Sequence, residues 1–169
     1  MADPYELIDI INPNNQILNQ ATKAAAHEQG LLHRIIIAEL IDSRGRYTLV
    51  KQAADRQDPG QYVSPVGGHI RAGESEIEAL IRESQEEIGI IPNKYKRVGQ
   101  AIYNREVIDR QENHLFIVYE IYSNTAPILN HESVSFRRFT PVEIKQLMIT
   151  QPRIFGAAYH FVWNNFYEI

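Results

Sequence analysis

Residues 68–90 read GHIRAGESEIEALIRESQEEIGI, a glycine-punctuated loop running into a helix whose two ends are both marked. Ser75 and Glu78 supply an S-x-x-E capping box, and Gly89 stops the run. Between them Ile77, Leu80, Ile81 and Ile88 recur at helical spacing. Glu83, Glu86 and Glu87 stand at i, i+3 and i+4, which predicts three carboxylates on one side of the helix, opposite the apolar stripe. Two carboxylates about 5 Å apart repel by roughly 3 kcal/mol at an effective dielectric near 20, so such a cluster requires a cation. A hard divalent ion, Mg2+ or Mn2+, prefers oxygen ligands and keeps positions open for water and substrate phosphates. Gly67, Gly68 and Gly73 lack Cβ atoms and let backbone groups come close to a ligand. Arg82 reaches Glu86 at i+4, and Glu74 stands where a carboxylate accepts backbone N–H groups near the helix start.

Working outward, residues 5–11 and 16–20 flank Asn12-Pro13-Asn14-Asn15 and predict a β-hairpin. Thr22 caps a short helix over 22–29, with Gly30 just past its end. Residues 34–41 and 47–51 flank a second turn. Downstream, 96–103, 112–122 and 134–139 predict strands, and Thr140-Pro141-Val142-Glu143 opens a capped helix. A final amphipathic helix is predicted over 152–166, with Phe155, Ala158, Tyr159, Val162 and Phe166 on one face. Strands with interspersed helices predict an α/β or α+β sandwich.

The 169 residues suffice for one domain, 1–169, with its own core. Hydrophobic residues at 44% and charged residues at 22% exclude a disordered chain. Lys plus Arg is 17 against 21 for Asp plus Glu, without a basic cluster, which argues against a nucleic-acid polymer as partner. The absence of cysteine excludes disulfides, thiolate zinc sites and cysteine nucleophiles. The opening MADPYELIDI has neither a basic leader nor an apolar core, and no apolar run nears the roughly 18 residues of a membrane span. The expectation is a cytoplasmic protein with no membrane partner.

Gly68, five residues, Glu74, seven residues, then Arg82-Glu83-Ser84-Gln85-Glu86-Glu87-Ile88-Gly89-Ile90 resembles the Nudix box, G-x5-E-x7-R-E-U-x-E-E-x-G-U with U aliphatic. Eight of its nine specified positions fit. The departure is Ser84, on the buried stripe, where its hydroxyl is placed to bond back to the Leu80 carbonyl. The resemblance implies a Nudix-type α/β/α sandwich with a mixed central sheet and an N-terminal β-hairpin. It also implies Mg2+- or Mn2+-dependent hydrolysis of a diphosphate linkage in a small molecule, such as a nucleoside diphosphate derivative. Glu83 would then be base or bridging ligand, Glu86 and Glu87 ligands, and the Gly67 carbonyl a further ligand, with Glu74 and Arg82 orienting the set. Lys51 and Arg34, on the strands before the loop, are candidate diphosphate contacts.

The stretch 6–34, with Pro59-Gly60 and Gly67-Gly68-His69, resembles the Nudix branch that contains isopentenyl-diphosphate isomerase. Those isomerases carry a cysteine before the Gly-His pair and a glutamate two residues after a first one on a later strand. Here these positions hold Gly67 and His114, while Glu83 and Glu86 stand where the isomerases have non-acidic residues. The resemblance thus implies hydrolase machinery on an isomerase-like frame, with an isomerase-like enzyme and a non-catalytic nucleotide sensor as alternatives. It further implies a second metal site, because His27, His33, His69, Glu112 and His114 match the isomerases' metal-ligand positions. Glu112 and His114, i and i+2 on a strand, are expected to share a face. A mostly imidazole set suits zinc, manganese, iron or nickel.

Overall fold

The structure, a computed structural model, describes residues 3–107 and 110–168. Strands β1 (Leu7–Ile11) and β2 (Ile17–Thr22) form the expected antiparallel hairpin. Helix α1 (Lys23–Glu28) follows, its first turn capped by Thr22, whose Oγ1 accepts the Ala25 N–H. At the centre lies β3 (His33–Ile41), paired parallel with β8 (Arg110–Tyr122) from His33 to Ile41. On its other edge β3 meets β1 at one end, β6 (Val66–His69) in the middle and β4 (Tyr47–Gln52) at the other end, all antiparallel. Strand β7 (Tyr95–Val107) runs antiparallel to β8, while β5 (Tyr62–Val63) and β9 (Ser133–Phe139) pair with β4.

The near-continuous apolar run of β3 reflects cover on both faces, as central parallel strands require. Ile36, Ala38 and Leu40, with Leu115, Ile117 and Ile121 of β8, pack against Ala79, Leu80 and Ile88 of α2 (Glu76–Ile88). Ile35, Ile37, Phe116 and Val118 point the other way, toward Val162 of α4 (Ala157–Phe166). A third cluster joins Tyr47, Leu49 and Phe139 to Ile144 of α3 (Pro141–Thr150) and to Phe155, Tyr159 and Trp163. The result is a mixed sheet between helices, with each buried large apolar side chain contributing roughly 1.5–3 kcal/mol. No helix among the described residues is long and apolar enough to cross a membrane.

Helix α2 has both bonds of its capping box, and Gly89 closes it in the left-handed conformation. Its buried face differs from the apolar stripe read in the sequence. Ile81 is only half-buried, whereas Glu83 and Ser84 join Ala79, Leu80 and Ile88 inside. The carboxylates therefore do not stand opposite the core; one of them enters it. Ser84 is accommodated because its Oγ donates to the Leu80 carbonyl at 2.6 Å.

The C-terminal segment also departs from expectation. Instead of one helix over 152–166, a 3-10 turn (Pro152–Ile154) leads through extended Phe155 and Gly156 into α4. Phe155 bridges Tyr62 in parallel and is buried, and the Gly156 N–H donates to the Tyr62 carbonyl at 2.9 Å. A contact distant in sequence thus takes precedence over local helical periodicity.

Glu39, inside the apolar run of β3, is fully buried and accepts from Ser64 Oγ at 2.5 Å, while its Oε2 has no hydrogen-bond partner among the described residues. Burial is the main cause that raises its pKa from 4.5 to about 7; the Ser64 bond opposes the rise and the Glu120 charge adds to it. The folded state thus binds this proton more tightly than the unfolded chain. The group's contribution is intact below about pH 4.5 and is lost as pH rises through 7, a change of about 3 kcal/mol. Glu39→Gln is expected to flatten the fall in Tm between pH 5 and 8 and to raise Tm at pH 8 by about 6–12 °C. Parallel melting curves of the two proteins across that range test this, and identical pH profiles would contradict it.

Candidate functional site

The turn of α2 that carries the carboxylates lies against β6. Glu83 is 8% exposed, and a Cβ placed on Gly68 would stand 2.1 Å from its carboxyl carbon. Only a glycine leaves this space, so β6 and α2 approach closely because of Gly68. Glu87 lines the adjoining cavity beside Gly67 and Gly68, and Glu86 is more exposed and outside that lining. Burial pushes the Glu83 carboxyl up, with Arg82 opposing. Burial likewise holds Glu87 well above the usual carboxylate range, and the charges of Glu83 and Glu132 add to it. Two desolvated carboxylates, one raised further by the charge of the other, form a donor set suited to a hard divalent cation.

Arg82 fixes this arrangement. Its main partner is Glu74, at 2.8 Å through both Nε and Nη2, rather than the i+4 neighbour Glu86, whose carboxylate lies 3.7 Å away. Further bonds run to Glu83 Oε1 at 2.5 Å and to the His69 carbonyl at 2.9 Å. Burial alone would raise Glu74, but Arg82 and the Arg71 N–H bring its carboxyl below the ordinary value. The loop, β6 and the helix are thereby tied at the carboxylate end.

The cavity is about 170 Å³ and opens between the sheet and α4. One end carries Gly67, His69, His114 and Glu87; the walls include Ile35, Ile37, Val66, Phe116 and Val162. Arg34 and Lys51 do not line it. Arg34, paired in register with Leu115, turns to the face that carries α2 and forms an ion pair with buried Asp9 at 2.7 Å. Lys51 lies between the cavity-lining Val50 and Gln52, so its side chain turns to the other face of β4, with its Nζ 5.9 Å from the Tyr62 ring centre. The side chain that takes their expected place in the cavity is Arg105 of β7, bonded to Glu112 at 2.9 Å, Asp58 at 3.1 Å and Gln57 at 3.0 Å.

Four histidines converge beside the carboxylate end. Strand register sets His33 against His114 and places His69 two residues from Gly67, while α1 brings in His27. One ring nitrogen from each lies within 4.8 Å of all the others. The Nε2 of His27 is 3.4 Å from that of His114 and 3.3 Å from that of His69. His33 donates from Nδ1 to the Leu31 carbonyl at 2.7 Å, which directs its Nε2 lone pair away from that bond. Burial, then the charges of Lys23 and the other three histidines, keep His69 well below its usual pKa and hence neutral. Glu112 is not part of this group: on the face shared with His114 its carboxylate takes Gln57 at 2.7 Å and Arg105 at 2.9 Å. An arginine across the hairpin competes for it.

Sequence reasoning missed Arg105, Asp58, Gln57, Glu132 and Glu39. Glu39 had a readable signal, a lone acid within IIIAELI. The others had none, because their meeting depends on the pairing of Arg105 with Glu112 and on where the 53–60 loop folds.

The NUDIX domain family model matches residues 31–156. An isopentenyl-diphosphate Delta-isomerase of Streptomyces griseus is 29% identical over 140 residues, covering 79% of this chain and 70% of that protein. An uncharacterized Nudix hydrolase of Streptomyces coelicolor is 34% identical over 90 residues, 53% of this chain and 50% of its own. Against two further Streptomyces isomerases the chain spans 60% of their length. Among solved structures, DR0079 from Deinococcus radiodurans superposes with a TM-score of 0.76 at 20% identity, covering 96% of this chain and 100% of that one.

Proposed function

Because the chain belongs to the Nudix family, we propose that it is a divalent-metal-dependent hydrolase that cleaves a diphosphate linkage in a small molecule. The observation that carries this reading is a pair of desolvated carboxylates beside the Gly67–Gly68 strand, Glu83 buried against Gly68 and half-buried Glu87 lining the end of a cavity. Glu83, Glu86, Glu87 and the Gly67 carbonyl would hold Mg2+ or Mn2+, which polarises phosphoryl oxygens and lowers the pKa of the attacking water. Glu83, its carboxyl raised by burial, accepts the proton of that water. Arg82 and Glu74 keep Glu83 aligned with the strand, and the apolar walls exclude bulk water from the organic part of the substrate. A cavity of about 170 Å³ favours a compact organic group, since pockets for drug-sized ligands run to about 300–1,000 Å³. Phosphate and diphosphate release across a library of nucleoside, sugar and short alkyl diphosphates, with and without Mg2+, is the test. Turnover of at least one compound that disappears with EDTA supports the reading, and none with any metal contradicts it.

A second reading, isomerisation of isopentenyl diphosphate, is favoured by the relatives' names and by the histidine cluster. Deuterium incorporation during incubation with isopentenyl diphosphate separates the two; the hydrolase reading expects none.

The histidine cluster is read as a second metal site, for zinc, manganese, iron or nickel. Two nitrogen pairs, at 3.3 and 3.4 Å, already have the spacing of ligands about 2.0–2.1 Å from one tetrahedral ion, and the set as a whole, within 4.8 Å, would draw in slightly around it. Protein purified without chelator or His-tag is expected to carry close to one transition-metal ion by elemental analysis. No metal as purified, and none retained after zinc or manganese loading and desalting, would sink this assignment.

A further inference from the structure

A diphosphate entering the cavity meets a strongly acidic lining. Asp58, Glu87, Glu112 and Glu132 all contribute to it, and Arg105 is the only lysine or arginine among the described lining residues. Divalent cations at the carboxylates offset part of that charge, yet the ester needs a donor that also fixes its orientation. A guanidinium does this by offering parallel N–H bonds to two phosphoryl oxygens.

Arg105 is built for such a role. Its side chain is 15% exposed, Nε donates to Glu112, Nη1 to Asp58 and Nη2 to Gln57, and its Cζ lies 5.8 Å from the Tyr103 ring centre. These bonds come from both sides: Glu112 from β8, Gln57 and Asp58 from the loop between β4 and β5. They hold the head group in one pose, and five N–H donors against these three bonds and the Tyr103 contact leave the fork capacity for a further acceptor. Gly67 and Glu87 line the same cavity, so a phosphate bound near Glu87 shares that cavity with Arg105.

We propose that Arg105 is the substrate-binding arginine of this cavity, which takes the non-bridging oxygens of the diphosphate while Glu83, Glu86 and Glu87 hold the divalent ion. This rests on the diphosphate reading above. The network has a second effect: it ties the 53–60 loop to the β7–β8 hairpin. A purely structural tie and a phosphate-binding arginine make different predictions, because Gln57 and Asp58 act on the probe through the pose they give Arg105, whereas Arg105 itself meets the phosphate.

The test is calorimetric binding of methylenediphosphonate, a non-hydrolysable probe, in saturating Mg2+, to wild type, Arg105→Met, Arg105→Lys, Gln57→Ala and Asp58→Asn, with Tm measured for each. Arg105→Met is expected to weaken binding about 10- to 100-fold, the loss of a charge-assisted bidentate contact. Arg105→Lys should recover part of the loss, since the charge remains and the fork does not. Gln57→Ala and Asp58→Asn should each change affinity clearly less than Arg105→Met, because the guanidinium stays in the cavity, while lowering Tm. Unchanged affinity in Arg105→Met overturns the proposal, as does an equal loss in the two loop variants, which would make Arg105 a tie and nothing more. Failure of wild type to bind the probe overturns it too. If wild type binds the probe through Arg105 but hydrolyses no diphosphate, the hydrolase reading fails and the arginine assignment stands. Should Arg105→Met not fold, Arg105→Lys against the loop variants decides by the same comparison.

Discussion

Glu83→Gln is expected to lower kcat by about 10²- to 10⁴-fold while the protein melts at or above the wild-type temperature in the absence of metal. The substitution keeps the shape of the side chain, and the amide oxygen can still accept from Arg82 Nη1. What it removes is a negative charge that burial already disfavours and that raises Glu87 in turn. Stability therefore does not fall, whereas an amide neither takes a proton from water nor neutralises a divalent ion. Activity and stability move apart, and this divergence distinguishes a functional carboxylate from a structural one. The measurement is steady-state hydrolysis of the best diphosphate found in the library, alongside a melting curve. A variant that retains activity within a few-fold of wild type would remove Glu83 from the proposed role.

The second large effect is expected from the smallest change, Gly68→Ala. The added methyl group would lie 2.1 Å from the Glu83 carboxyl carbon and 2.2 and 2.4 Å from its oxygens, far inside contact distance. Because the atoms it strikes are the end of a flexible side chain and not backbone, the fold survives at a cost of about 1–3 kcal/mol. Glu83 itself moves, and with it the bond to Arg82 and the alignment with β6. Gly68→Ala should thus lose nearly as much activity as Glu83→Gln. The two losses should also fail to add: in a Glu83→Ala background the methyl group has room, and Gly68→Ala should change Tm by less than in wild type. Additive losses across this cycle would show that Gly68 acts through the strand rather than through Glu83.

Much of this site was legible because its grammar is local. The capping box of Ser75 and Glu78, the stop at Gly89 and the i, i+3, i+4 set of glutamates all act within a few residues, and the helix forms with those bounds. The same holds for the Thr22 and Thr140 caps and for the N-terminal hairpin. Even the Ser84 bond to the Leu80 carbonyl followed from position in a helix alone. The histidines were singled out from the resemblance, and only the fold shows that four of them converge.

Tertiary structure alone decided which way side chains turn once strands pair. In a strand, facing depends on parity, so Arg34 and Lys51, each beside residues that line the cavity, turn to the opposite faces. Whether Glu112 joins the histidines depends on Arg105, its register partner across the hairpin, and on a loop some fifty residues earlier in the chain. The break at Phe155 and Gly156 arises from Tyr62, a contact that no periodicity within 152–166 encodes. Glu83 is buried because Gly68, on another element, leaves space for it. The amino-acid sequence by itself determined the helices, their caps and the residue types of the chemistry, since those follow from interactions within one or two turns. Facing, burial and partner choice were set by contacts between segments far apart in the chain, whose energies exist only when the sheet has closed.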